Sequence, residues 1–197
     1  MNEIDSALQD IAHLRDRLAA SSRFQGFAPG LVALTGCFAA ALGLWQQARQ
    51  DENLLAWMLL AAVCALLIGI EAVGRARKAH RSMADRMLAS TLSRFLPVAT
   101  AGAILGVVVL VRVPEFAGAL PGLWQLLMGI GIFAMLSGLP RLMMIAGAFY
   151  FVSGTISLLL SGGEAPSAAW LMAVPFSIGQ LLVAAILHLA AREPHHG

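Results

Sequence analysis

A chain of 197 residues is long enough for one ordinary domain, yet 59% of it is hydrophobic, 12% is charged and its mean hydropathy is +0.78. Soluble domains carry about 25% charged residues, so a water-soluble fold is excluded, and disorder and a disulfide scaffold go with it because apolar residues dominate and the cysteines are only Cys37 and Cys64. An all-α polytopic membrane protein remains, and its net charge of +2 conceals an uneven distribution.

Residues 1–26 are polar and read as a cytoplasmic amphipathic helix rather than a cleavable signal. Ile4, Ala7, Leu8, Ile11, Leu14 and Leu18 recur at spacings of three and four and make one stripe, with Asn2 placed as an N-cap. Helices that lie on anionic lipid are rich in Lys and Arg. This segment has four acids against three bases, so the stripe Ile4, Leu8, Ile11, Leu14 and Leu18 is expected to pack on protein. The occupant is this chain's own basic loop, a second copy in a homo-oligomer, or a separate cytoplasmic partner.

A spanning helix needs about 20 mostly apolar residues. Six runs meet that length, at 27–46, 54–73, 96–113, 120–139, 142–160 and 170–191, and together they define a transmembrane domain over 27–191 embedded in the lipid bilayer. Each run is continuously apolar rather than alternating, which predicts helices and not a barrel.

Between the second and third runs lies a basic segment, 75–95, holding Arg75, Arg77, Lys78, Arg81, Arg86 and Arg94 against one acid. Met83, Ala84, Met87, Leu88, Leu92 and Phe95 continue the helical spacing into the third run, where Pro97 falls in the first turn of the span. No aromatic residues interleave with these bases, so direct nucleic-acid binding is not expected.

Orientation follows from Lys and Arg. With the N-terminus inside, eleven of thirteen bases are cytoplasmic, while Asp51, Glu52, Glu115 and Glu164 fall in outside loops. The reading is N-in and C-in, with a short cytoplasmic tail at 192–197.

The six runs also look like three copies of one hairpin. Gly36, Phe38 and Gly43 recur as Gly147, Phe149 and Gly154, and each second helix carries a tryptophan near its outer end, Trp57, Trp124 or Trp170. Gly102 lies 22 residues before Trp124, close to the 21 and 23 residues that separate Gly36 from Trp57 and Gly147 from Trp170. All copies would run in the same direction, about an axis along the membrane normal. An interfacial aromatic belt and small-residue helix packing account for the same residues without a repeat.

Polar groups inside the bilayer are the usual functional candidates. Here they are Glu71 near the inner end of the second helix, Pro175 and Gln180 in the sixth, and His188 near its inner end. A kink at Pro175 frees a backbone carbonyl that either lines a ligand pocket or is satisfied by a neighbouring helix. Haem ligation would need axial histidines, and His188 is the one His inside a span, since His13 and His80 are cytoplasmic; the identity of any cofactor is left open. Cys37 and Cys64 lie at similar depth and read as small hydrophobes. His195 and His196 are too short a tract for a metal site. No nucleophile-base spacing, phosphate loop, HExxH or CxxC is present, which leans away from an enzyme.

Several runs resemble an uncharacterised family of small six-helix bacterial inner-membrane proteins. They are Leu120-Pro121-Gly122-Leu123-Trp124-Gln125-Leu126-Leu127, Leu139-Pro140-Arg141, Gly147-Ala148-Phe149-Tyr150 and Pro175-Phe176-Ser177-Ile178-Gly179-Gln180-Leu181-Leu182. The openings Ala7-Leu8-Gln9-Asp10-Ile11 and Arg23-Phe24-Gln25-Gly26 share in it. The resemblance implies a bacterial inner-membrane location and carries no catalytic residue or cofactor. Three functions stand after this reading, in order: a non-enzymatic membrane scaffold or sensor holding a partner at its cytoplasmic face, a small-solute transporter or channel using Pro175 and Gln180, and a haem- or other cofactor-binding protein using His188.

Overall fold

The computed structural model describes residues 28–79, 81–161 and 168–192, with the side chains of 75–92 and of Ala168 left out. The N-terminal stripe of Ile4, Leu8, Ile11, Leu14 and Leu18, and residues 193–197 of the tail, lie outside the described residues. The elements are α1 (Pro29–Arg49), α2 (Leu54–Ala79), α3 (Arg81–Arg112), a 3-10 turn (Pro114–Ala119), α4 (Leu120–Met135), a second 3-10 turn (Leu136–Gly138), α5 (Met143–Leu160) and α6 (Ala168–Arg192). All six runs chosen by hydropathy have become helices long and apolar enough to cross a membrane. Among the described residues there is no strand.

Local chemistry sets the ends. Pro29 occupies the first turn of α1, where a missing amide costs nothing. Gln50 ends α1 in the left-handed region at φ 52°, sending its amide back to the last turn. Asn53 then caps α2, its Oδ1 accepting from the Ala56 amide at 3.1 Å. The apolar runs of the sequence end at 73 and resume at 96, yet α2 continues to Ala79 and α3 begins at Arg81. At about 1.5 Å per residue, residues 81–92 lengthen α3 by about 18 Å.

By alternation the 50–53 and 113–119 connections fall at one end of the bundle, here the Asp51 end, and the 139–142 connection at the other, the Arg141 end. Each helix touches its neighbours in the chain and α1 closes on α6, so the six form a ring, with α4 also reaching α6 across it. The closest pairs are α1 with α6 and α4 with α5. Glycine explains both, because within lipid, helices associate through close backbone approach rather than a hydrophobic drive. A Cβ on Gly122 would lie 2.7 Å from the Gly154 carbonyl oxygen, and one on Gly154 would lie 2.9 Å from that of Gly122. On α1, a Cβ on Gly36 would stand 3.1 Å from the Ser177 carbonyl oxygen, and one on Gly43 would overlap the Ala173 side chain. A Cβ on Gly147 would reach the Phe133 ring at 2.7 Å. The four glycines that suggested a repeat thus all face helices, but helices of another hairpin: those of α1 face α6 and those of α5 face α4.

Two apolar clusters stack along the bundle. Val32, Ile132, Met143, Ala146, Tyr150, Ala184, Ile186 and Leu187 fill the Arg141 half, and Ala39, Leu54, Trp57, Val109, Leu120, Met172 and Ala173 fill the Asp51 half. The apolar windows of α2 and α3 are 17% and 11% buried, against 33–39% for the other four, so α2 and α3 flank a core of α1, α4, α5 and α6. Their outward faces, including Leu59, Leu66, Ile104 and Val111, suit contact with lipid.

Candidate functional site

The polar groups inside the spans gather at four places. The first is the Asp51 end, where Gln46 is buried and its Oε1 accepts from the Trp57 indole N–H at 2.8 Å while its Nε2 donates to the Asn53 carbonyl at 2.8 Å. Gln46 thereby ties α1 to α2 and to the turn between them. Trp57 is a buried structural donor. Trp124 likewise donates to the Gly102 carbonyl at 3.0 Å, so the 22-residue spacing in the middle copy is a real contact. Trp170 is exposed, as an interfacial residue would be.

The second place explains Pro175. Proline lacks the amide that would bond the carbonyl four residues earlier, here that of Leu171. The Leu171 carbonyl instead accepts from Gln125 Nε2 at 2.8 Å, and the same nitrogen donates to Ser157 Oγ at 3.1 Å. Gln125 is fully buried, and it joins α4, α5 and α6 beside the turn that holds Pro175. The carbonyl that Pro175 leaves free is satisfied by a neighbouring helix, the second of the two outcomes the sequence left open.

The third place lies at mid-span. Gln180 is the middle residue of α6, half-buried, and its side chain approaches the Tyr150 hydroxyl. The approach is not in hydrogen-bond geometry: the Tyr150 hydroxyl and the Ser177 hydroxyl are both buried without a hydrogen-bond partner. Tyr150 is wholly buried, its ring 5.7 Å from that of Phe176 and 5.6 Å from that of Phe149, and it rests on the bare backbone of Gly179, where a Cβ would overlap it.

The fourth place is the Arg141 end. The Glu71 carboxylate accepts from the Ala28 amide at 3.1 Å, at the positive end of the α1 dipole, where α1 has no acid in its own first turn and no side-chain cap. Nearby, Arg94 donates to Ser137, linking α3 to the turn after α4. His188 is exposed on α6. The four candidate residues Glu71, Pro175, Gln180 and His188 therefore do not form one site: Pro175 and Gln180 share a stretch of α6, Glu71 caps α1, and His188 points outward.

Three residues that carry this network were not among the sequence candidates. Gln46, Gln125 and Tyr150 sit in apolar runs where hydropathy averages them away, and the one available signal was an amide or phenol inside a span. Cys37 is exposed, Cys64 is half-buried and both are free thiols. Among the described residues no three His, Cys, Asp or Glu side chains come together as a metal site. Compared with family profiles, curated proteins and solved structures, the chain matches none.

Proposed function

We propose that this is a non-enzymatic membrane scaffold or sensor of the bacterial inner membrane, with both termini cytoplasmic, that holds a protein partner through its cytoplasmic face. The observation that carries the reading is that α2 and α3 run on beyond the apolar stretches 54–73 and 96–113 of the sequence, to Ala79 and from Arg81. Arg75, Arg77, Lys78, Arg81 and Arg86 then belong to a helical projection beyond the hydrocarbon, opposite in charge to the acids of residues 1–26. A helix of about 20 residues is marginal in water by itself, so the stripe of Ile4, Leu8, Ile11, Leu14 and Leu18 calls for a protein to complete it. Gln46, Gln125 and Glu71 are engaged within the bundle, and the basic segment 75–95 is the most distinctive polar stretch of the sequence. Arrangement as three hairpins about the membrane normal fits a closed six-helix ring. Placement in the bacterial inner membrane rests on the resemblance of the Leu120–Leu127 and Pro175–Leu182 runs.

Photo-crosslinking from position 4 in intact membranes tests this reading. A discrete cross-linked band, lost when Ile11 and Leu14 are changed to Asp and accompanied by faster proteolysis near residue 20, supports it. An unchanged cleavage pattern refutes it.

A second reading, a transporter or channel for a small solute, draws on the unpartnered Tyr150 and Ser177 hydroxyls at mid-span. A haem or other cofactor on His188 would take any second histidine from outside the described residues, among which His188 is the one histidine.

A further inference from the structure

We propose that Arg94 and Arg141, drawn to one corner of the bundle through Ser137, hold the headgroup of an anionic phospholipid in the leaflet at the Arg141 end. The placement comes from packing. Phe95 and Val98 of α3 lie against Gly131 of α4, where a Cβ would stand 3.6 Å from the Phe95 ring and 3.5 Å from Val98. One residue before Phe95, Arg94 donates to the Ser137 hydroxyl, in the 3-10 turn that follows α4. Ser137 and Arg141 belong to the same short stretch between α4 and α5, and four residues span at most about 14 Å. The bond to Ser137 therefore keeps the α3 guanidinium beside the connection that carries the second one. A Cβ on Gly138, between Ser137 and Arg141, would meet no atom within 4 Å, so the corner is open.

Charge decides what the corner can take. Arg94 spends one of its five N–H donors on Ser137, and the Arg141 side chain has no partner among the described residues. The acids among the described side chains are Asp51, Glu52, Glu71 and Glu115. Asp51, Glu52 and Glu115 lie at the opposite end, and Glu71 accepts from the Ala28 amide. Arg192 closes α6, where the helix dipole favours a cation, whereas Arg141 precedes α5 and has no such offset. Two uncompensated guanidiniums call for an anion, and the planar fork of arginine matches the oxygens of a phosphate. The anion is that of a lipid, because Leu142 and Ile145, which follow Arg141, are exposed apolar residues at the start of a helix able to cross the bilayer. Basic pockets between membrane helices take anionic headgroups in this way. The site does not rest on the partner-holding reading, since it uses neither residues 1–26 nor the projection over 75–92.

The test measures binding of phosphatidylglycerol and of phosphatidylcholine to the delipidated full-length protein in detergent, by native mass spectrometry and by the shift in Tm. Phosphatidylglycerol should raise the Tm of the wild type, and phosphatidylcholine, whose headgroup has no net charge, should not. A basic side chain near an anionic membrane surface contributes about fivefold in affinity. Arg94→Gln and Arg141→Gln should each weaken phosphatidylglycerol binding by about that factor, and the two together by about 25-fold, while Arg192→Gln leaves it unchanged. Arg141→Gln breaks no contact among the described residues, so lost binding in that variant reports on the lipid and not on the fold. Equal binding by the wild type and the double variant overturns the proposal, as does stabilisation by phosphatidylcholine equal to that by phosphatidylglycerol. Inorganic phosphate tests for a soluble ligand: a Tm rise with phosphate alone that the double variant abolishes, and to which phosphatidylglycerol adds nothing, gives the corner to a free anion and overturns the lipid assignment.

Discussion

Replacing Gln125 with Leu keeps the volume of the side chain and removes its amide, which isolates one effect: the cap on the carbonyl that Pro175 sets free. Gln125 donates to the Leu171 carbonyl at 2.8 Å and to Ser157 at 3.1 Å, and all three groups are buried. Hydrogen bonds between membrane helices contribute about 0.6 kcal/mol on average and up to about 1.7 kcal/mol. A buried acceptor left without any partner costs about 1–3 kcal/mol. With two groups stranded, Gln125→Leu is expected to destabilise the protein by about 2–4 kcal/mol. Pro175→Ala restores an amide four residues after Leu171, giving that carbonyl an ordinary helical donor. In the Pro175→Ala background the same Gln125→Leu change should therefore cost less, by about 1–2 kcal/mol. Reversible unfolding in mixed micelles, run as a double-mutant cycle, reads the difference directly. The two residues communicate only through the Leu171 carbonyl in this account, so costs that agree within about 0.5 kcal/mol in the two backgrounds would refute it.

Further tests follow from the packing and the topology. Gly154→Ala brings a Cβ to 2.9 Å from the Gly122 carbonyl oxygen and should cost about 1–3 kcal/mol by overpacking, whereas Gly69→Ala, with open space around it, should be neutral or stabilising in the same unfolding assay. Trp57→Phe removes the donor to buried Gln46 and should lower stability by about 1–2 kcal/mol, while Trp170→Phe, on an exposed residue, should leave it nearly unchanged. Cysteine labelling in a background lacking Cys37 and Cys64 should find replacements at Asp51 and Glu164 reactive from outside and those at His80 and Gly197 from inside. An outside residue 80 would invert the orientation derived from the basic segment.

Glu71 and Gln180 illustrate two different limits of sequence reading. Each was recognisable as a polar residue in an apolar run, because the cost of burying such a group marks it whatever its surroundings. Their roles were not recognisable. Glu71 is a cap because α1 begins beside it, at Ala28, 43 residues away in the chain. Gln180 approaches Tyr150 because α5 and α6 meet over Gly179, a contact no local spacing encodes.

The number of spans, their limits to within a few residues, and the helix over 83–95 that leads into the third run were determined by sequence alone. Transfer of apolar side chains from water to hydrocarbon is a sum over consecutive residues, and a helix satisfies its own backbone, so both can be read along the chain. Which helix lies against which was decided only in three dimensions. The hairpin pattern groups α1 with α2 and α5 with α6, yet the closest packing joins α1 to α6 and α4 to α5. Inside lipid every apolar face is equally content with a neighbour or an acyl chain, so partner choice falls to backbone approach at glycines such as Gly122 and Gly154 and to hydrogen bonds such as that from Gln125 to Leu171. Those are properties of pairs of surfaces, and a single strand of residues holds only one half of each.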